Sequence, residues 1–433
     1  MPYPERDGPC EREYRCAQRE GNTVNATNGT VLRGFARDDG RKGIRNVLVV
    51  AYLVECAHHV AREIAYAYRD RDVHLIGFPG CYPNDYSLTM MEKLCTHPNV
   101  GAALLVSLGC EGFNKRELAR TIEASGRPVA TIGIQDTGGT RSTIAAGKAW
   151  IDATLPALDA QASVPMRLSE LVVGTICGGS DATSGLTANP AMGVAFDLLV
   201  EAGAATIFEE TGELIGMENQ MAARAARPEL ATALKESVGK AARYYATLGY
   251  ASFAPGNADG GLTTIEEKSL GAYAKSGQSR IDGIIKPGIT PPAKGLYLLD
   301  VVPDGEVRFG FPNINDNAEI AELIACGSHL ILFSTGRGSV VGSAISPVIK
   351  VCANPDTYLR MSEDMDVDAG RILEGHATLP EVGRQIFDLI GRVGSGERTC
   401  SEALGHQEFI LTYKSFEPVG PACLPTRQLG RAA

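Results

Sequence analysis

Apolar and polar positions in this chain fall into alternating blocks. Arg45 to Val54 (RNVLVVAYLV) is a continuous apolar, β-branched run, the pattern of a strand buried on both faces. Glu55 to Tyr68 follows with helical spacing, and the pair then repeats. Further strands are predicted at 73–78, 100–108 and 128–134, and helices at 86–95, 115–124 and 140–158. After a linker-like stretch at 160–168, a second series begins. Its strands are predicted at 171–176, 205–208, 295–301, 329–333 and 348–351, and its helices at 190–203, 228–248, 317–326 and 380–393. Strand–helix alternation predicts the α/β class, here as two regions of parallel sheet with helices on their faces. The expected organisation is a loose N-terminal arm (1–30), a first α/β domain (31–160) and a larger second one (166–433). Open parallel sheets bind ligands beyond the carboxyl ends of their strands, so a site is expected there, at the interface between the two regions.

Composition narrows the classes. A chain of 433 residues, 44% hydrophobic and 21% charged, is globular and long enough for two or three domains. A net charge of −10 argues against a nucleic-acid binder, and an anionic substrate would need local cations or helix N-termini. No apolar run approaches the roughly 20 residues of a membrane span. The opening MPYPERDGPCEREYRC has no apolar core of the kind a secretory signal carries. Eleven scattered cysteines, an odd number, suit free thiols and metal ligands in a cytoplasmic protein better than a disulfide framework.

The chemistry concentrates in polar, glycine-rich segments that follow predicted strands: FPGCYPND (78–85), LGCEGFN (108–114), CGGSDATSG (177–185), EETGELIGME (209–218) and STGRGS (334–339). PGNADGGLTTIEEKS (255–269), which carries Asn257, joins them by composition. Cys81, Cys110 and Cys177 each follow an apolar run beside a glycine. Thiolates from separate strand ends that met at one point would hold a soft metal or an iron–sulfur cluster. Cysteine is equally a common buried small residue, so spacing alone leaves both readings open. Ser180, Asp181, Thr187 and Asn189 offer hydroxyl, carboxylate and amide partners ahead of a helix that starts at Asn189-Pro190. The loop matches neither a Walker nor a dinucleotide glycine pattern, so no nucleotide is inferred. Lys268 would be a base if partly desolvated. Glu210 belongs to an acidic run, Glu267 would open a helix where a glutamate favours the dipole, and Arg337 is placed to fork onto a carboxylate.

Taken together, GFARDDGRKGIRN (34–46), NVGAALLVSLGCE (99–111), CGGSDATSGLTANPAMG (177–193), EETGELIGME, PGNADGGLTTIEEKSLGA (255–272), LILFSTGRGS (330–339) and SGERTCSEALGHQEF (395–409) resemble the altronate and galactarate dehydratase family, in the family's order. Cys81, Cys110 and Cys177 fall on cysteine positions of that pattern. The resemblance implies a lyase that performs β-elimination on a 2-hydroxy acid, foremost dehydration of a sugar acid to a 2-keto-3-deoxy acid. It implies iron, as a mononuclear ion or a cluster, held by the three cysteines. Ser180, Asp181, Thr187, Asn189, Asn257 and Arg337 would bind the small anionic hydroxy acid, and Lys268, Glu210 and Glu267 would move protons.

Two departures matter. Family members often carry a small β-rich N-terminal domain or a separate small subunit. Only about 30 loose residues precede the matching region here, so a small partner chain and a homo- or hetero-oligomer are expected. FPGCYPND also departs from the His-containing segment of sugar-acid members, which leaves room for another leaving group. A sulfolactate sulfo-lyase large subunit, releasing sulfite and pyruvate, is the alternative enzyme. A non-catalytic sugar-acid-binding or regulatory subunit is the alternative of another class.

Overall fold

The computed structural model describes residues 31–248, 255–304, 315–411 and 414. The expected arm, 1–30, lies outside the described residues. Strands β1 (Val31–Ala36) and β2 (Lys42–Gly43) pair antiparallel. The first domain follows with β3 (Val47–Tyr52), β4 (Val73–Gly77), β5 (Val100–Ser107) and β6 (Val129–Gly133). They form a parallel sheet in the order β4-β3-β5-β6. Every residue of β5 is buried, as its unbroken apolar run requires when helices cover both faces.

Strand β7 (Val164–Arg167) differs from expectation. The stretch read as a linker pairs antiparallel with β1, so the crossing between domains is stitched into a three-stranded ribbon. Its four residues, VPMR, are too few and too proline-interrupted to show strand periodicity; pairing with β1 orders them.

The second domain holds β8 (Val172–Cys177), β9 (Ala205–Phe208), β10 (Ile281–Ile285), β11 (Gly295–Leu299), β12 (Leu330–Thr335), β13 (Val348–Cys352) and β14 (Val367–Asp368). All pair in parallel, in the order β10-β11-β9-β8-β12-β13-β14. From β8 the chain goes first to β9 on one side and later to β12 on the other. The strand order therefore reverses between β8 and β12, and a crevice opens at that switch point.

Local chemistry fixes the helices around these sheets. Asn84 and Ser87 form a reciprocal cap on the helix Asp85–Cys95, and Thr378 with Glu381 does the same for Leu379–Gly394. One buried cluster runs through both sheets, with Val49 and Ile76 from the first and Ile176 and Phe333 from the second. The helices Asp85–Cys95 and Asp316–Ala325 pack together there, and Tyr86 donates to Glu322 at 2.7 Å. No helix among the described residues is long and apolar enough to cross a membrane.

Candidate active site

Cys177 ends β8 and sits opposite Ser334 of β12 at the switch point. Beside it, β9 ends at Phe208 and the chain turns sharply. Glu210 takes a left-handed conformation (φ 70°), the one non-glycine residue to do so among the described residues. A 3-10 turn, Thr211–Leu214, follows. Residues three apart eclipse on such a turn, so Glu210 and Glu213 face the same way. Both reach Cys177: its Sγ is 3.3 Å from Glu210 Oε2 and 3.2 Å from Glu213 Oε2, and its backbone N–H donates to Glu210 Oε2 at 3.0 Å.

The helix Ile265–Ala274 supplies the cations. Lys268 Nζ lies 3.1 Å from Cys177 Sγ, 2.8 Å from Glu213 and 2.7 Å from Ser180 Oγ. Lys275, seven positions on and so on the same helical face, lies 3.3 Å from Cys177 Sγ and pairs with Glu210. Lys268 is 2% exposed and Lys275 is fully buried. Burial pulls the Lys268 ammonium down, but Cys177 and Glu213 outweigh it and raise the group above its ordinary value. These neighbours favour the charged form of Lys268. Asp316 opens the helix Asp316–Ala325 nearby; burial and the charge of Glu213 push its carboxyl up to about 6. Beneath, Glu209 is fully buried with both oxygens unpartnered among the described residues. Burial, then Glu319 and Glu322, hold it well above the carboxylate range.

A pocket of about 190 Å3 opens beside Lys268, walled by Ser180, Asp181, Asn189, Leu186, Leu262 and Leu270. Gly185 and Gly271 pack backbone to backbone at its side; a Cβ on Gly185 would meet Gly271 Cα at 2.9 Å. Asp181 accepts from Thr183 N–H at 2.9 Å and from Asn354 Nδ2 at 2.9 Å, which braces the loop. Asn189 donates to Gly271 O at 2.9 Å and accepts from Ser334 Oγ, tying loop, helix and β12 together. Asn257 accepts from Ser180 N–H at 3.2 Å and orients that serine.

The remaining sequence-predicted residues lie differently. Thr187 is buried and donates to Thr183 O and Ala353 O, within the scaffold. Glu267 is exposed, accepts from Thr263 N–H at the start of its helix, and also lines the pocket beside Lys268. Arg337 is exposed and donates to Gly256 O. Cys81 and Cys110 are exposed on loops of the first domain, while Cys177 is buried in the second. Among the described residues the three thiols form no common ligand set; the set whose donor atoms all lie within 4.8 Å is Cys177, Glu210 and Glu213. Cys81 and Cys110 lie on adjoining loops of the first domain, where Gly112 N–H donates to Cys81 O at 2.8 Å, and Cys177 ends β8 of the second. A single divalent ion would find one sulfur and two oxygen donors. It would have to displace Lys268 and Lys275, which already neutralise both carboxylates.

Glu213, Lys275 and Asp316 were missed as site residues in the sequence. The i, i+7 spacing of Lys268 and Lys275, and the i, i+3 spacing of Glu210 and Glu213, were signals for two of them.

Two buried ammonium groups paired with two carboxylates at a sheet's switch point equip an enzyme that acts on a small anion. Comparison with known proteins agrees. Residues 168–416 match the family model described as D-galactarate/altronate dehydratase, C-terminal, and residues 34–159 match D-galactarate dehydratase/altronate hydrolase, second domain. The chain belongs to the D-galactarate/altronate dehydratase family. It is 34% identical over 396 residues to the (2R)-sulfolactate sulfo-lyase subunit beta of Chromohalobacter salexigens, covering 89% of this chain and 97% of that one. It is 28% identical over 396 residues to an altronate dehydratase of Escherichia coli K12, covering 87% and 76%. With an altronate dehydratase of Bacillus subtilis the identity is 30% over 415 residues, covering 92% and 80%. Dehydratases and sulfo-lyases are lyases, and the chain is an enzyme of that class.

Proposed function

We propose that the chain catalyses β-elimination from a small 2-hydroxy carboxylate. The C2–H bond breaks, the group on C3 leaves with its bonding pair, and the enol tautomerises to a 2-keto acid. The observation that carries this reading is the pair of Lys–Glu contacts around Cys177, next to a pocket of substrate size. The proton beside a carboxylate is very weakly acidic, so the charge developing on that carboxylate needs fixed donors. Lys268, with Ser180 Oγ at 2.7 Å, supplies them at the pocket wall. Glu213, against Lys268, takes the C2 proton, and Asp316, still partly protonated near neutral pH, gives one to the leaving group. Glu210 and Lys275 fix Cys177 and the turn that carries Glu213. This reading places the electrophilic role on lysine rather than on the iron expected from the sequence.

The first leaving group is water, from a sugar acid of the altronate or galactarate type. A second reading, loss of sulfite from sulfolactate, is supported by the 34% identity to the sulfo-lyase subunit, against 28% and 30% for the two altronate dehydratases. That relative is named as a subunit beta, and we propose that this chain likewise works with a second, smaller subunit.

The test is an assay of altronate, galactarate and sulfolactate, with and without such a subunit, reading 2-keto acid and sulfite. In deuterated water the C3 position of the product should gain deuterium. Lys268→Met should lower kcat by at least 10²-fold and Glu213→Gln by a similar factor. Full turnover in either variant would sink these roles.

A further inference from the structure

A groove of about 560 Å3, larger than the pocket beside Lys268, lies between the two domains. One wall is the end of the helix Glu55–Tyr66 and the turn after it, with Arg62, Arg69 and Arg71; the other carries Arg398 and His406. The groove reaches the start of β4, and Ser343 on its rim precedes β13. It therefore sits at the amino ends of the strands, opposite the edge that carries Cys177.

Four guanidinium groups in one groove stand out in a chain of net charge −10. Three are held loosely. Arg62 meets Glu63 at 3.0 Å, Arg71 meets Asp159 at 2.6 Å and Arg398 meets Asp72 at 2.8 Å, all largely solvent-exposed pairs of small worth that an incoming anion can recruit. Arg69 has no carboxylate within 4.0 Å among the described residues and lies 5.2 Å over the Tyr66 ring. Of the three acids on the wall, Glu402 is taken by Arg45 at 2.6 Å and 2.9 Å, Asp72 is the partner of Arg398, and Asp70 stands beside Arg69 in the chain.

Behind His406 lies Lys350, fully buried on β13. Its Nζ donates to His406 Nδ1 at 3.4 Å, so the proton of the neutral ring sits on Nε2, which faces Asp364 at 4.0 Å. Burial pulls the Lys350 ammonium down against the nearby Asp364, Asp366 and Glu408, and nothing in the elimination chemistry uses this group.

We propose that this groove is a second binding site, for a compact polyanion bearing phosphate groups or several carboxylates. Arg62, Arg69 and Arg398 grip it over His406, and it bridges the two domains. Its volume lies in the range of small-molecule sites, roughly 300–1,000 Å3.

Calorimetry and thermal unfolding of the full chain, with pyrophosphate and with citrate against sodium chloride of equal ionic strength, test this. One-to-one binding with a raised Tm is expected from at least one of them, and the better ligand identifies the phosphate or carboxylate source. Arg69→Ala should weaken that binding at least tenfold, with Arg69→Lys between, while elimination measured without the polyanion stays unchanged. Lys268→Met should bind as the unaltered chain does. Neither anion exceeding chloride, binding indifferent to Arg69, or binding lost in Lys268→Met would each overturn the proposal. The last would move the anion to the catalytic pocket.

Discussion

Replacing Lys275 with methionine should destabilise the second domain by about 3–5 kcal/mol, the usual penalty for stranding one member of a buried ion pair. Methionine keeps most of the stem volume, so packing changes little. What changes is Glu210. Its side chain is 5% exposed, and its partner is fully buried. Without the ammonium, its carboxylate retains only the Cys177 N–H at 3.0 Å and the thiol. Adding Glu210→Gln removes the stranded charge, and the double variant should recover most of the loss, since an uncharged pair replaces a charged one at little net cost. For a domain of this size each kcal/mol moves Tm by roughly 2–4 °C, so the single variant should melt about 6–20 °C lower. Differential scanning calorimetry of the three proteins closes the cycle. A fall of under about 1 kcal/mol in Lys275→Met, or a double variant no better than the single one, would refute the claim that this pair is a coupled unit.

Three further outcomes are expected. Cys81→Ser with Cys110→Ser should leave turnover within about twofold, because the groups assigned to the elimination all lie in the second domain; loss of activity together with bound iron, measured by metal analysis, would support the three-cysteine centre. Asp316→Asn should lower kcat at least 10²-fold and remove any high-pH limb near 6 from the pH–rate profile. The third concerns His329, which accepts from Val172 N–H and meets Lys42 O at 2.9 Å. Burial holds it down from 6.5 to about 4. Below 6.5 the unfolded chain binds a proton that the folded chain refuses, so stability should fall by about 3 kcal/mol as pH drops from 6.5 to 4 and no further below. Urea unfolding at pH 7.5, 5.5 and 4.5 should show that contribution on top of those of His97 and His74, which burial also lowers, and His329→Gln should reduce the slope by it; equal slopes would refute the assignment.

The strands legible in the sequence were those buried on both faces, such as β3, β5 and β12, whose apolar runs have no competing pattern. β10 (IDGII) was missed, since a charge and a glycine interrupt it and only pairing with β11 defines it. β7 was missed for the same kind of reason. At the site, Cys177, Ser180, Glu210 and Lys268 could be named from glycine-rich strand ends. Glu213 and Lys275 could not be ranked, because an acidic run or a helical lysine reads as a solvated face until the fold buries it. Sequence could name the three cysteines but not their spacing: the donor set within 4.8 Å joins Cys177 to Glu210 and Glu213, which a run of strand ends does not reveal.

The seam where Gly185 meets Gly271 separates what this pocket can change from what it cannot. A side chain on either glycine would push backbone against backbone and prise the lysine-bearing helix off the loop that holds Ser180. Variation is therefore channelled outward, to Leu186 and Leu270, which are each 61% exposed and can be exchanged without moving the seam. A lineage built on this scaffold would retune its choice of substrate at the leucine rim, while the machinery that breaks the C2–H bond is inherited intact.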